Sequence, residues 1–185
     1  MRPEADRVRA FVALEIEERM HDCIAHLTEG LRGRLPGVRW VRPEGIHLTL
    51  RFLGQSSPAQ IESLSPRLAA AAGACPPSEA HVSGLGMFPE RGNPRVLWLG
   101  VALAASVLAL QAACEEAAVA AGFPPEPRPF RSHLTLGRWR DRAPRPQIPP
   151  ADLGPVALAT LTVFRSELQR GGVVYTPLAR FALGG

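Results

Sequence analysis

From Arg9 to Ile16 (RAFVALEI) apolar residues alternate with others over the length of a strand, and then the period changes. Met20, Ile24, Leu27, Leu31 and Leu35 recur at helical spacing until Pro36-Gly37 closes the run. Val38 to Val41 and Ile46 to Leu53 return to strand character on either side of Pro43-Glu44-Gly45. Ser57-Pro58 is a helix-start signal for a segment through Ala72, with Pro66 expected to kink it. Ala80 to Phe88 reads as a strand interrupted by Gly84 and Gly86, and Pro89 to Pro94 as a turn.

The same order then begins again. Arg95 to Ala102 reads as a strand, Ala104 to Ala121 as a helix ended by Gly122, and Arg131 to Trp139 as a second polar-faced strand. After a Pro-rich loop, Arg140 to Pro150, two closing strands are expected at Val156 to Phe164 and Val173 to Leu183. A strand-helix-strand unit used twice predicts an α+β fold of two pseudo-symmetric lobes, each an antiparallel sheet with helices outside, around a central cleft. Residues 1–185 are expected to form one bilobal unit, and at 46% apolar residues the chain can build a real core.

Composition narrows the chemistry. All 21 basic residues are Arg, which excludes a catalytic lysine, a covalent lysyl-nucleotide and the lysine of a phosphate-binding P-loop. A net charge of +4 favours a polyanionic partner only weakly. Cys23, Cys75 and Cys114 form no Cys-x-x-Cys pair and read as reduced structural thiols. The charged segment Met1 to Arg9 and the short, Ala-rich window Val101 to Ala113 supply no membrane span, so a cytoplasmic, unexported protein is expected.

His-x-Thr occurs at His26, His47 and His133, where the composition alone would yield about 0.16 such triplets. His26 and Thr28 fall in a helix, where residues two apart point about 200° apart. That triplet cannot face one ligand. In a strand, by contrast, i and i+2 share a face. His47 and Thr49 then point one way, with Ile46, Leu48, Leu50 and Phe52 toward the core. His133 and Thr135 repeat the arrangement over Leu134 and Leu136. Displacement at phosphorus needs a base for the attacking water, an acid for the leaving oxygen and donors for the non-bridging oxygens. Two imidazoles and two hydroxyls supply these without a metal or other cofactor.

The duplicated His-Leu-Thr-Leu resembles the signature of the two-histidine phosphoesterases. Arg9-Ala10-Phe11-Val12-Ala13, Trp40, Phe52-Leu53-Gly54, Arg95-Val96-Leu97-Trp98, Arg138 and Ser166 through Tyr175 are similar to the RNA 2′,3′-cyclic phosphodiesterase branch, also called 2′-5′ RNA ligase. The resemblance implies hydrolysis of an RNA-terminal 2′,3′-cyclic phosphate to a 2′-phosphate, with weak reversible 2′-5′ joining in some members. It implies His47 as proton donor, His133 as proton acceptor, and Thr49 and Thr135 as phosphate ligands. Gln55 stands where an acidic residue is common, and Ser132 where Pro is common.

RNA contacts are expected from Arg131, which shares the parity of His133, and from Arg138, which does not. A bulge near Gly137 would reconcile the latter. Arg128, Arg140, Arg142 and Arg145 crowd the same region. Phe52 and Trp139 are candidates to stack on a base, with Trp40 and Trp98 behind them. The partner is expected to be RNA with a cyclic phosphate end, tRNA-like fragments among them, met by a monomer. The competing readings are a phosphodiesterase for a small cyclic nucleotide or 2′-5′ oligonucleotide, a non-catalytic RNA-binding domain, and a zinc site.

Overall fold

The computed structural model describes residues 7–170 and 172–184, so most of the segment Met1 to Arg9 lies outside the described residues. In chain order the elements are β1 (Val8–Leu14), α1 (Glu18–Arg32), β2 (Val38–Trp40), β3 (Leu48–Ser56), α2 (Pro58–Ala74), β4 (Ser78–Phe88), β5 (Val96–Ala102), α3 (Ala105–Ala120), β6 (His133–Trp139), β7 (Asp152–Leu158), β8 (Thr160–Gln169) and β9 (Gly172–Ala182).

Each helix buries one stripe: Met20, Ile24 and Leu31 on α1, where the expected Leu27 is only part-buried and Leu35 lies past the helix end, Leu64, Leu68 and Ala72 on α2, and Val107, Leu110 and Cys114 on α3. A capping box starts α2: the Ser57 hydroxyl accepts from the Gln60 backbone N–H, and the Gln60 side chain accepts from that of Ser57. Pro66 lies inside α2.

The strands form one antiparallel sheet in the order β7-β4-β5-β6-β3-β1-β8-β9, with β2 added on β6. A pseudo-twofold axis through the β6–β3 joint relates β6, β5, β4 and β7 to β3, β1, β8 and β9. The units β1-α1-β3 and β5-α3-β6 are the repeat expected from the sequence.

The stretch read as one closing strand, Val156 to Phe164, is two. Ala159 alone separates β7 from β8, and no turn residue marks the break. The two belong to opposite sides of the sheet: β7 pairs with β4 and β8 with β1. Two peptide units reach at most about 7 Å. The sheet must therefore curl until its far ends approach, and α1 packs at that seam, where Glu17 Oε1 accepts from the Ala157 N–H at 3.4 Å.

Candidate active site

Among the described residues the joint between the two halves is a single pair, Leu48 opposite Leu134, and both side chains are buried. One position either way along antiparallel strands sets His47 across from Thr135 and Thr49 across from His133. Side chains directly opposite on one face of such a pair lie about 5 Å apart at Cβ. All four are part-buried while their Leu neighbours are buried, so the four share the face away from the core.

Both histidines are held alike. His47 Nδ1 lies 2.9 Å from the Gly45 carbonyl, and His133 Nδ1 lies 2.6 Å from that of Arg131. A carbonyl only accepts, so Nδ1 carries the hydrogen and Nε2 is the working atom of each neutral ring. A third histidine supports the first: His21 Nε2 on α1 donates to the Ile46 carbonyl at 3.1 Å, next to His47. The sequence alone suggests a surface or half-exposed position for His21, and half-exposed it is, but nothing in its helical context marks this contact.

The surroundings of the two rings differ. His47 stacks on Phe11 (centroids 4.5 Å apart, 22° between planes), meets the edge of Tyr175 at 5.0 Å and lies 5.8 Å from Phe164. Burial among these rings pushes its pKa down to about 4. His133 meets Phe88 edge-on at 5.1 Å and Trp98 at 6.4 Å. Trp98 is seated over Gly86, where a Cβ would fall 2.1 Å from its ring. Burial lowers the His133 pKa too, and the charges of Arg138 and Arg131 lower it further. Phe11, Phe164 and Tyr175 come from three strands, so no local sequence signal unites them around His47.

Two bulges correct the parity argument. In β3, Ala13 pairs with Thr49 but Val12 with Arg51, so Leu50 is extra. In β6, Trp98 pairs with Thr135 but Leu97 with Gly137, so Leu136 is extra. The fourth residue of each His-Leu-Thr-Leu is thus the bulged one, and beyond it the faces exchange, in β3 as far as a second extra residue at Leu53. Phe52, expected in the core, is 47% exposed on the cleft side and 6.2 Å from Phe11. Arg138 turns outward at the equivalent place and acts electrostatically on both His133 and Tyr175. Trp139, expected on the cleft face, is 6% exposed in the core instead.

Arg131 lies over Phe88 at 4.8 Å and over Trp98 at 5.9 Å, paired with Glu90. It borders a groove of ≈ 450 Å³ that also reaches His133, Trp98, Phe130 and Leu108. Trp40 instead sits under Arg32 of α1 at 5.8 Å. Arg128 pairs with Glu126, the Arg145 guanidinium donates to the Pro89 carbonyl, and Arg140 and Arg142 are exposed. In α1, His26 is exposed whereas Thr28 is buried with its hydroxyl on the Ala25 carbonyl at 3.0 Å, so the helical triplet is divided between two faces.

The LigT-like phosphoesterase family matches residues 14–98 and again 101–175, each match holding one of the two His-Leu-Thr-Leu tetrapeptides. The RNA 2′,3′-cyclic phosphodiesterase of Thermus thermophilus is 35% identical, the alignment covering 96% of this chain and 91% of that protein. The phosphodiesterase of the same name from Methanothermobacter thermautotrophicus is 29% identical over 96% of this chain and all of its own length. Among solved structures, TT0787 of Thermus thermophilus superposes with a TM-score of 0.84 at 30% identity, covering 96% of this chain and 98% of that one. Escherichia coli LigT complexed with 3′-AMP gives 0.83 at 28% identity over the same shares of each chain.

Proposed function

The chain belongs to the LigT-like phosphoesterases, and from that premise we propose that it hydrolyses the 2′,3′-cyclic phosphate ending an RNA strand to a 2′-phosphomonoester. The observation that carries this reading is the convergence of two His-x-Thr pairs, one from each half, on the joint at Leu48 and Leu134. The water oxygen attacks phosphorus as His133 Nε2 takes its proton. The bond from phosphorus to the 3′-oxygen breaks, and His47 protonates that oxygen. Thr49 and Thr135 donate to the non-bridging oxygens, Arg131 and Arg138 add positive charge beside them, and Phe52 offers a face to the terminal base. With a ribose 5′-hydroxyl in place of water the same steps give weak, reversible 2′-5′ joining. Because one chain supplies both halves, a monomer is a sufficient working unit, and the halves act as one bilobal domain. No helix among the described residues is long and apolar enough to cross a membrane, in keeping with a cytoplasmic encounter with RNA.

The decisive experiment is end-group analysis of a defined RNA oligomer bearing a 2′,3′-cyclic phosphate. The expected product carries a 2′-phosphate and forms at the same rate in EDTA, since every proton transfer and phosphate contact is assigned to a side chain. A 3′-phosphate product, turnover of mononucleoside cyclic phosphates alone, or loss of activity in chelator restored by a divalent ion would each overturn the scheme.

The pKa shifts set the pH dependence. The productive free enzyme needs His47 protonated and His133 neutral, yet both imidazoles are displaced below the ordinary 6.5. Acid protonates the base and alkali strips the acid, so kcat/KM should be bell-shaped with its maximum on the acid side of pH 6.5. Bound phosphate adds negative charge that favours imidazolium and raises both values. The maximum of kcat should therefore lie at higher pH than that of kcat/KM. A kcat/KM that climbs steadily from pH 5 to 9 would refute the acid–base pair.

A further inference from the structure

The two bulges are equivalent by pseudo-symmetry, but they are held by different means. In the second half β2 runs beside β6, and the Val41 N–H donates to the carbonyl of the bulged Leu136 at 2.8 Å. Gly137 makes this approach possible, since a Cβ there would fall 2.5 Å from Val38 Cγ1 and 3.0 Å from the Arg39 carbonyl. Among the described residues, no strand lies in the corresponding place in the first half, and on the side away from β1, β3 has a strand partner only at Leu48.

Arg51 stands where Gly137 stands in the other half, and it is 6% exposed. One terminal nitrogen of its guanidinium donates to the Phe52 carbonyl, the other donates to the Pro124 carbonyl, and Nε pairs with Glu115 of α3. The Glu115 carboxylate also accepts from the Glu126 backbone N–H at 2.9 Å. The bulged Leu50 carbonyl accepts from Gln111 of the same helix at 3.4 Å. Side chains thus provide the donors that a backbone provides at the equivalent bulge. They also join the first histidine strand to the loop, Pro124 to Glu126, through which the chain runs toward His133.

We propose that Arg51 is a positioning residue. With Glu115 and Gln111 it fixes the β3 bulge in the register that turns Phe52 into the cleft, and it ties that strand to the approach to His133, so that the two half-sites keep one alignment. This rests on the reading of His47 and His133 as a working pair. A planar fork suits two carbonyl acceptors at different angles with a carboxylate beside it, a combination that a single ammonium cannot match.

The test uses the Arg51→Met/Glu115→Met double variant, which leaves neither charge stranded, together with Arg51→Lys, Phe52→Ala, and the double variant combined with Phe52→Ala. Folding is checked by thermal melting, and kcat and KM are measured on a short RNA ending in a 2′,3′-cyclic phosphate. The double variant and Arg51→Lys should each fold and lose roughly 10- to 100-fold in kcat/KM, the scale of a misplacement near 1 Å. In the Phe52→Ala background the further loss should shrink to a few-fold. Independently of turnover, the imidazole nitrogen resonances of His47 should move in these variants while those of His81, exposed on β4 and paired with Asp152, stay. Wild-type kinetics in a folded double variant, full rescue by lysine, additive losses with Phe52→Ala, or unmoved His47 resonances would each overturn the assignment. If the double variant fails to fold, Arg51→Lys decides by the same criteria. If the wild type does not turn over the RNA, the proposed function falls, and the resonances alone decide whether Arg51 positions the strand.

Discussion

Replacing His47 or His133 by alanine is expected to lower turnover by about 10²- to 10⁴-fold, the usual contribution of a positioned acid or base. His26→Ala should leave it within about twofold of wild type. The contrast is informative because all three histidines stand in the same His-Leu-Thr triplet. Only His47 and His133 flank the joint at Leu48 and Leu134, whereas His26 is exposed on α1. His47→Ala also removes a ring stacked on Phe11 and in contact with Phe164, a loss of about 1 kcal/mol in stability. Rates must therefore be compared per folded molecule, well below the melting temperature. The two single losses should not multiply in the double variant, because acid and base serve one displacement. Comparable losses at His26, or a folded His133→Ala variant with undiminished kcat, would remove the two-histidine mechanism.

Thr49→Val and Thr135→Val should each reduce kcat by the equivalent of about 2–4 kcal/mol in transition-state stabilisation, as for the loss of an oxyanion-hole donor. Valine keeps the β-branched shape that suits a strand and deletes only the hydroxyl. Melting temperatures should consequently change little. Charge on the non-bridging oxygens shifts as phosphorus passes through a trigonal bipyramid, so the deficit belongs in kcat more than in KM. The same oxygens persist in the product, and binding of a 2′-phosphate should weaken in both variants. Thr49 lies across from His133 and Thr135 across from His47 about the single joint pair, so the two losses should be of similar size. Two folded valine variants with wild-type kcat and KM would reduce the threonines to structural residues and leave the histidines alone.

Much of this was legible in one dimension. The change of hydrophobic period between 2 and 3.6 located the helices and nearly all the strands, because those periods follow from backbone geometry and hold wherever an element buries one face. The recurrence of strand, helix and strand announced the two halves. The helical triplet could be set apart from the strand triplets by angular arithmetic alone. Phe52 and Trp139 went differently from their parity, whereas Arg138 turned outward by a bulge beside Gly137, the place where one would reconcile it. A parity rule assumes an unbroken ladder, and a single extra residue at Leu50 and again at Leu136 exchanges the faces beyond it. Those bulges depend on which strands lie alongside; Gly137 marked the place of the second, and Leu50 carries no local sign of the first. The break at Ala159 was hidden for the same reason, since its alternation runs straight on while the partners change from β4 to β1. The cage of Phe11, Phe164 and Tyr175 around His47, and with it the low pKa of that imidazole, brings together strands from opposite ends of the chain. The sequence by itself determined the elements that carry the two His-x-Thr motifs and the face that each pair shares, because local periodicity is a property of the chain. Only the tertiary structure decided which face each residue beyond a motif presents and how easily each histidine takes a proton, because register and burial belong to the packed neighbours.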